Sequence, residues 1–115
     1  MKHPESDLQK ACISWFRCQH NKLSKICIAI PNGGFRNAKE AARMKAEGVV
    51  AGASDIILLV GRGGYNALCI ELKAEKGKQT ELQREWQIEA ERNGNKYVIV
   101  RDLDSFIQTI NEYLK

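Results

Sequence analysis

Four segments of the chain have the residue pattern of an α-helix. The first follows Pro4, a residue that suits the first turn of a helix, and predicts an amphipathic helix over residues 4–20. A segment rich in Ala, Lys and Glu predicts a second helix over 37–47. Thr80 and Gln83 form a capping box that opens a third helix, which runs to about Asn93. A closing helix is predicted by apolar residues at helix spacing, which are Leu103, Phe106, Ile107, Ile110 and Leu114.

Four shorter runs of β-branched and alternating apolar residues predict strands. Residues 26–30 come first and are followed by the loop Pro31-Asn32-Gly33-Gly34. Residues 55–60 and 66–73 flank the glycine-rich segment 61–65, a pattern typical of a β-hairpin. Residues 96–101 form the last run. The order predicts an α/β fold in one domain over residues 1–115, with a mixed four-stranded sheet flanked by helices.

The composition is that of a globular protein without a membrane-spanning segment. Hydrophobic residues make up 43% of the chain and charged residues 28%, which argues against a disordered chain. No apolar run approaches the roughly 20 residues that cross a bilayer, and the polar N-terminus lacks the apolar region of a signal peptide. We therefore expect a cytoplasmic protein with no membrane partner. The four cysteines lack zinc-site spacing, and we expect them to be reduced and buried.

The predicted hairpin brings two carboxylates face to face. If residues 61–65 form the loop and Val60 pairs with Asn66, then Asp55 lies opposite Glu71. Two carboxylates at that separation repel each other unless a cation or a shared proton lies between them. Because Lys73 follows on the same strand face as Glu71, the pattern indicates a divalent metal site with a cation beside it. The alternative is an ion-pair ladder on the surface of the hairpin.

Glu5 is a candidate third ligand for such a metal. It lies three residues before Leu8, on the apolar side of the first predicted helix. The alternative is a first-turn acid that the helix dipole favours. Carboxylate and carbonyl oxygens are hard ligands that suit Mg²⁺ or Mn²⁺ rather than zinc. A lysine beside them can orient a water nucleophile and offset charge in the transition state.

Four motifs follow one another along the chain: Pro31-Asn32-Gly33, Gly48-Val49-Val50-Ala51-Gly52-Ala53-Ser54-Asp55, Ile70-Glu71-Leu72-Lys73 and Gly77-Lys78-Gln79-Thr80-Glu81-Leu82-Gln83. This ordered set resembles the virus-type replication-repair nuclease (VRR-NUC) domain family of the PD-(D/E)xK nuclease superfamily. The resemblance extends from Glu5 to about Arg101. Ser54 departs from it mildly, since it stands where the superfamily motif has proline. The resemblance implies a restriction-endonuclease-like αβββαβ core, with residues 37–47 as an insertion.

The resemblance also implies a set of site residues. By this resemblance, Glu5, Asp55 and Glu71 are the acidic ligands of a catalytic Mg²⁺, for which Mn²⁺ can substitute. The backbone carbonyl of Leu72 would add a further oxygen ligand, and Lys73 would serve the attacking water.

Gln83 matches a glutamine that follows the E-x-K strand in this family. It is also the third residue of the capping box, and both roles can hold together. The family contains stand-alone domains of about this size that act on four-way (Holliday) junctions. The resemblance therefore implies a Mg²⁺-dependent, structure-selective DNA endonuclease of phage or bacterial replication and repair, acting in the cytoplasm of a bacterial or phage-infected cell. The alternatives are a flap, nicking or sequence-specific endonuclease, and a DNA-binding module without catalysis.

Basic residues outside the predicted metal site are candidates for phosphate contacts. Residues 1–50 contain nine basic and four acidic residues, so the first half of the chain is the basic half. The DNA-binding candidates are Arg36, Lys39 and Arg43 at the second helix, Lys76 and Lys78 after the E-x-K strand, and Asn32 in the glycine-rich loop. Free N–H groups at the start of the third helix would add to an anion site. A solvated basic surface is the alternative.

The oligomeric state follows from the symmetry of a junction. Resolving a four-way junction requires cuts in two strands related by approximate two-fold symmetry, whereas 115 residues have material for one metal site. A domain with a radius of gyration of ~13 Å is too small to span both cleaved phosphates. We therefore expect a two-fold symmetric homodimer.

Overall fold

The computed structural model describes residues 3–31 and 37–115 of the chain. Its helices are α1 (Pro4–Gln19), α2 (Ala38–Ala46), α3 (Glu81–Arg92) and α4 (Leu103–Tyr113), and its strands are β1 (Cys27–Ala29), β2 (Ile56–Leu58), β3 (Leu68–Leu72) and β4 (Lys96–Val100). A short 3₁₀-helix, Asn21–Ile26, connects α1 to β1. The predicted order of helices and strands is confirmed, although β1 and β2 are shorter than their apolar runs.

The four strands form one mixed sheet in the order β1-β2-β3-β4. β1 and β2 are antiparallel, as are β2 and β3, whereas β3 and β4 run parallel. Ile56 pairs with Ile70, and Leu58 pairs with Leu68. This is the register that the five-residue loop 61–65 predicts, so the α/β fold and the hairpin alignment are both confirmed.

Alternation along the strands divides the side chains between two layers of helices. The face that includes Leu58, Leu68 and Ile70 packs in the main hydrophobic core with α1 and α4. Phe16 of α1 and Phe106 of α4 are both fully buried in that core. The opposite face lies against α3, where the rings of Trp86 and Tyr97 are 6.2 Å apart. Trp15 of α1 also packs against Phe106, so both tryptophans contribute to packing.

The cysteines differ in burial. Cys12, Cys27 and Cys69 are buried, and all four cysteines are free. The expectation that all four are buried is wrong for Cys18, which is exposed because it lies on the polar side of α1, away from the core position of Phe16. In the residues described above, no helix has the length and apolarity needed to cross a membrane.

Gly52 permits a close approach between the loop before β2 and the first turn of α3. Its φ is +92°, in the region that favours glycine. A Cβ atom at this position would lie 2.4 Å from the carbonyl oxygen of Leu82. The glycine therefore holds the loop before Asp55 against the helix that carries Gln83.

Replacing Gly52 tests this contact. We expect Gly52→Ala to lower the free energy of unfolding by about 3 kcal/mol or more, because it adds backbone strain to overpacking against a backbone carbonyl. Gly63→Ala is the matched control: Gly63 also has a positive φ, +58°, but a Cβ there meets nothing within 4 Å. We expect Gly63→Ala to lower the free energy of unfolding by about 1 kcal/mol. Urea denaturation compares the two, and equal losses would contradict the proposed close approach.

Candidate active site

Asp55 and Glu71 meet at one end of the β2–β3 hairpin. Asp55 directly precedes β2, and Glu71 is the fourth residue of β3. Continuing the register one step beyond the Ile56–Ile70 pair places these two acids opposite each other. The backbone of Asp55 is fixed from the other side by Ile30, whose N–H donates to the Asp55 carbonyl at 2.8 Å. The juxtaposition predicted from the loop length is therefore present.

Glu71 is the most constrained of the site residues. Its side chain is 2% exposed, and Oε1 is buried without a hydrogen-bond partner in the described residues. Burial, followed by the interactions with Asp55, raises the pKa of Glu71 to about 8, against a lowering by the charge of Lys73. A buried carboxylate with an unpartnered oxygen beside a second carboxylate is the environment that a cation stabilises.

Gln83 connects Glu71 to the start of α3. Its Nε2 donates to Glu71 Oε2 at 3.0 Å, while its Oε1 accepts from the backbone N–H of Thr80 at 2.9 Å. The Thr80 hydroxyl in turn accepts from the Gln83 N–H at 3.2 Å. One amide therefore caps the helix and orients an acid of the site. The sequence left these two roles open, and the structure contains both contacts.

Asp55 is held against the adjacent strand. Its Oδ2 accepts from the backbone N–H of Leu72 at 2.7 Å. That amide lies between Glu71 and Lys73 in the chain, so the Asp55 carboxylate is anchored to the E-x-K segment itself. Ser54, the departure from the superfamily motif, is fully buried, and its hydroxyl donates to the Ile56 carbonyl at 3.3 Å. The turn before β2 is therefore stabilised without proline.

Lys73 is a buried cation at the end of β3. Its side chain is only 7% exposed, and its backbone N–H donates to the carbonyl of Val100 at 3.0 Å. A Cβ at Gly77 would lie 3.5 Å from Lys73 Cδ, so the loop after β3 covers the lysine stem. A buried lysine is favourable only near negative charge, and the charge of Lys73 acts on Glu71, whose pKa it lowers.

Glu5 reaches the site from α1. Its Oε2 accepts from the backbone N–H of Ala74 at 3.2 Å, and it lines a cavity together with Asp55 and Leu72. Among residues 3–31 and 37–115, no group of three or more His, Cys, Asp or Glu side chains is close enough together to hold a metal ion. Glu5 as a third ligand, and the Leu72 carbonyl as a fourth, stay predictions.

Arg101 is a site-supporting residue that the sequence reasoning missed. Its guanidinium donates to the carbonyls of Ala74 at 3.0 Å and Gly77 at 2.7 Å, with a longer contact to Glu75 at 3.4 Å. These carbonyls belong to the loop that follows Lys73. Because β3 and β4 run parallel, the end of β4 lies beside the end of β3. A prediction of that parallel pairing would have indicated that Arg101 lies beside the loop that follows Lys73.

The predicted DNA-binding residues are distributed over two elements. Lys39 and Arg43 are exposed on α2, and Arg43 pairs with Glu47 at 3.1 Å. Lys76 and Lys78 are exposed in the loop after β3. Asn32 and Arg36 lie outside the described residues.

The expectation of free N–H groups at the start of α3 is wrong for two of them. The Thr80 N–H donates to Gln83 Oε1, and the Gln83 N–H donates to Thr80 Oγ1. The capping box satisfies these donors internally, which leaves both unavailable to a phosphate.

Comparisons with known proteins agree with this geometry. The family model of the VRR-NUC domain matches residues 2–101. A solved structure described as a VRR_NUC domain protein is 28% identical in sequence and superimposes with a TM-score of 0.84, over 99% of this chain and 90% of that chain. A search of curated proteins finds no significant match. The fold, the opposed acids and the matched residues show that the chain belongs to the VRR-NUC domain family, whose members are nucleases of the PD-(D/E)xK type.

Proposed function

We propose that this protein is a metal-dependent DNA endonuclease that hydrolyses phosphodiester bonds at the Asp55–Glu71–Lys73 site. The observation that carries the proposal is the buried Glu71 carboxyl, with one unpartnered oxygen within the described structure, opposite Asp55. A DNA-binding module without catalysis has no use for this arrangement, because two opposed acids reduce stability at neutral pH unless a cation or a shared proton lies between them. Membership of a nuclease family supports the same conclusion.

The donor set fits Mg²⁺, with Mn²⁺ as a substitute. Asp55 and Glu71 would provide carboxylate oxygens, with the Leu72 carbonyl and Glu5 completing the protein ligands, and such oxygens suit hard cations. The chemistry that Mg²⁺ supplies when bound is polarisation of a phosphoryl oxygen and activation of water.

Two side chains of the protein, Lys73 and Gln83, would perform the other roles in the reaction. The Lys73 ammonium, held beneath the loop after β3, would orient the attacking water and offset the charge that develops on the phosphate. Gln83 keeps the Glu71 carboxylate in one orientation through its 3.0 Å hydrogen bond. Both side chains are positioned before the substrate binds, which lowers the cost of reaching the transition state.

The proposed substrate is branched DNA, above all a four-way junction, and the proposed assembly is a homodimer. The radius of gyration of 14.3 Å supports this assembly, because one such domain cannot reach two cleaved phosphates related by a two-fold axis. Lys39, Arg43, Lys76 and Lys78 are proposed phosphate contacts, with Asn32 and Arg36 as further candidates. The proposed place of action is the cytoplasm of a bacterial or phage-infected cell. Flap, nicking and sequence-specific cleavage are the alternative activities.

Digestion of labelled DNA tests this function. We expect cleavage of a synthetic four-way junction in Mg²⁺ and none in EDTA, with cuts in both of two opposite strands. Asp55→Asn and Glu71→Gln should abolish cleavage while junction binding is retained, because each removes a metal-ligand charge. Cleavage at near wild-type rate in either variant would contradict the site. A protein that sediments as a monomer with and without junction would contradict junction resolution and favour nicking or flap cleavage.

Lys73 is tested separately from the acids. We expect Lys73→Ala to lower kcat by on the order of 10² or more, since orientation of the water and charge stabilisation are both lost. Lys22→Ala removes the same charge from an exposed position in the 3₁₀-helix and serves as the control. Single-turnover cleavage in Mg²⁺ measures both. A wild-type rate for Lys73→Ala would remove the lysine from the mechanism.

The raised pKa of Glu71 predicts how stability depends on pH in EDTA. Folded Glu71 keeps its proton up to about pH 8, whereas the unfolded chain releases it near 4.5. The unfolded state therefore binds fewer protons between these values, and this group makes stability fall as pH rises from 5 to 8, by up to about 1.4 kcal/mol per pH unit.

Thermal denaturation in EDTA at pH 5 to 8 measures the effect. Glu71→Gln should show a flatter profile than wild type and a higher Tm at pH 8. Addition of Mg²⁺ at pH 8 should raise the Tm of wild type but not that of the variant. Parallel pH profiles for wild type and Glu71→Gln would contradict this prediction, because they would show that folding does not raise the pKa of Glu71.

A further inference from the structure

A groove of about 940 Å³ lies between α1 and β1. Asp55 and Leu72 line it, and Glu5 contributes from the first turn of α1. Cys27 and Ala29 of β1 form part of its other wall. The candidate active site therefore continues into a groove, and α1 forms one full side of it.

The groove side of α1 carries two cations, and its other lining residues include apolar Ile13 as well as polar side chains. Lys10 and Arg17 line the groove together with Gln9 and Ser14. Lys10 and Arg17 are seven residues apart, which is two helical turns, so they share one face of the helix. Within residues 3–31 and 37–115, neither cation forms a salt bridge with a carboxylate. Both charges are therefore available to an anionic ligand.

Arg17 also lies close to the opposite wall. Burial raises the pKa of the Cys27 thiol to about 11, and the positive charge of Arg17 partly opposes this rise. Cys27 belongs to β1, so the influence of the guanidinium extends across the groove.

The charges are ordered along the groove in a way that suits one nucleic-acid strand. The acids lie at the end that would hold the metal and the cleaved phosphate, and the cations follow along α1 toward its C-terminus. At about 1.5 Å of rise per residue, Lys10 and Arg17 are about 10 Å apart along the axis. This matches about three nucleotides at about 3.4 Å per nucleotide of one strand.

We propose that the α1–β1 groove binds the DNA strand that is cut, with Lys10 and Arg17 contacting phosphates on one side of the cleaved phosphate. The inference rests on the proposed nuclease function and deepens it. It assigns strand binding to α1, whereas the basic stripe predicted from the sequence lies on α2. Phosphate contacts of this kind position the strand without reading its sequence.

The test compares two double variants that lose equal charge. Lys10→Gln with Arg17→Gln removes both groove cations, and Lys22→Gln with Lys25→Gln removes two exposed cations of the 3₁₀-helix, which do not line the groove. Junction binding is measured in EDTA across a salt series, so that cleavage does not interfere. Circular dichroism and thermal melting confirm that both variants fold.

We expect the groove variant to bind at least 10-fold more weakly and to reduce the salt slope by about two, at about 0.9 per lost phosphate contact. The control variant should change the slope by less than about 0.5. In Mg²⁺, the groove variant should raise KM while kcat stays within a few-fold of wild type. Equal changes in both variants, or no change in the groove variant, would overturn the inference while wild-type cleavage leaves the nuclease function intact. A wild-type protein that neither binds nor cuts DNA would overturn both.

Discussion

Two opposed carboxylates, one of them withdrawn from water, set the physical constraint on this molecule. Glu71 is 2% exposed and lies opposite Asp55 across a two-stranded pairing. Burial and the neighbouring acid both disfavour its ionised form, which raises the pKa of Glu71 to about 8. A protein that keeps such a pair sacrifices stability at neutral pH unless a cation is bound. A role in metal binding therefore explains this arrangement better than a contribution to the stability of the fold does.

The neighbouring elements hold this pair from several directions. Gln83 donates to Glu71 from α3, and the Leu72 N–H donates to Asp55 from β3. Arg101 at the end of β4 fixes the loop that follows Lys73. Each contact comes from a different element, so the fold as a whole determines the geometry. Losing any one of these hydrogen bonds would displace the carboxylates of the site but would not remove them.

The sequence was sufficient for the parts of the site that depend on local spacing. The five residues of the 61–65 loop determine the hairpin register, which brings Asp55 opposite Glu71. The capping box identified the start of α3, although it withdraws two of the N–H groups that were expected to be free for an anion. The role of Arg101 could be identified only once the parallel pairing of β4 with β3 was known. The α1–β1 groove required the placement of a helix against an edge strand, which no local pattern encodes.

Calorimetric titration of the metal-free protein with Mg²⁺ at pH 7, in two buffers of different ionisation enthalpy, tests the central claim most directly. The account predicts that wild type binds the ion and releases about one proton, since Glu71 gives up its proton to become a ligand. Glu71→Gln should bind far more weakly and release none. Equal Mg²⁺ affinity in the two proteins, or binding by wild type without proton release, would contradict the claim that the buried Glu71 carboxyl forms part of a metal site.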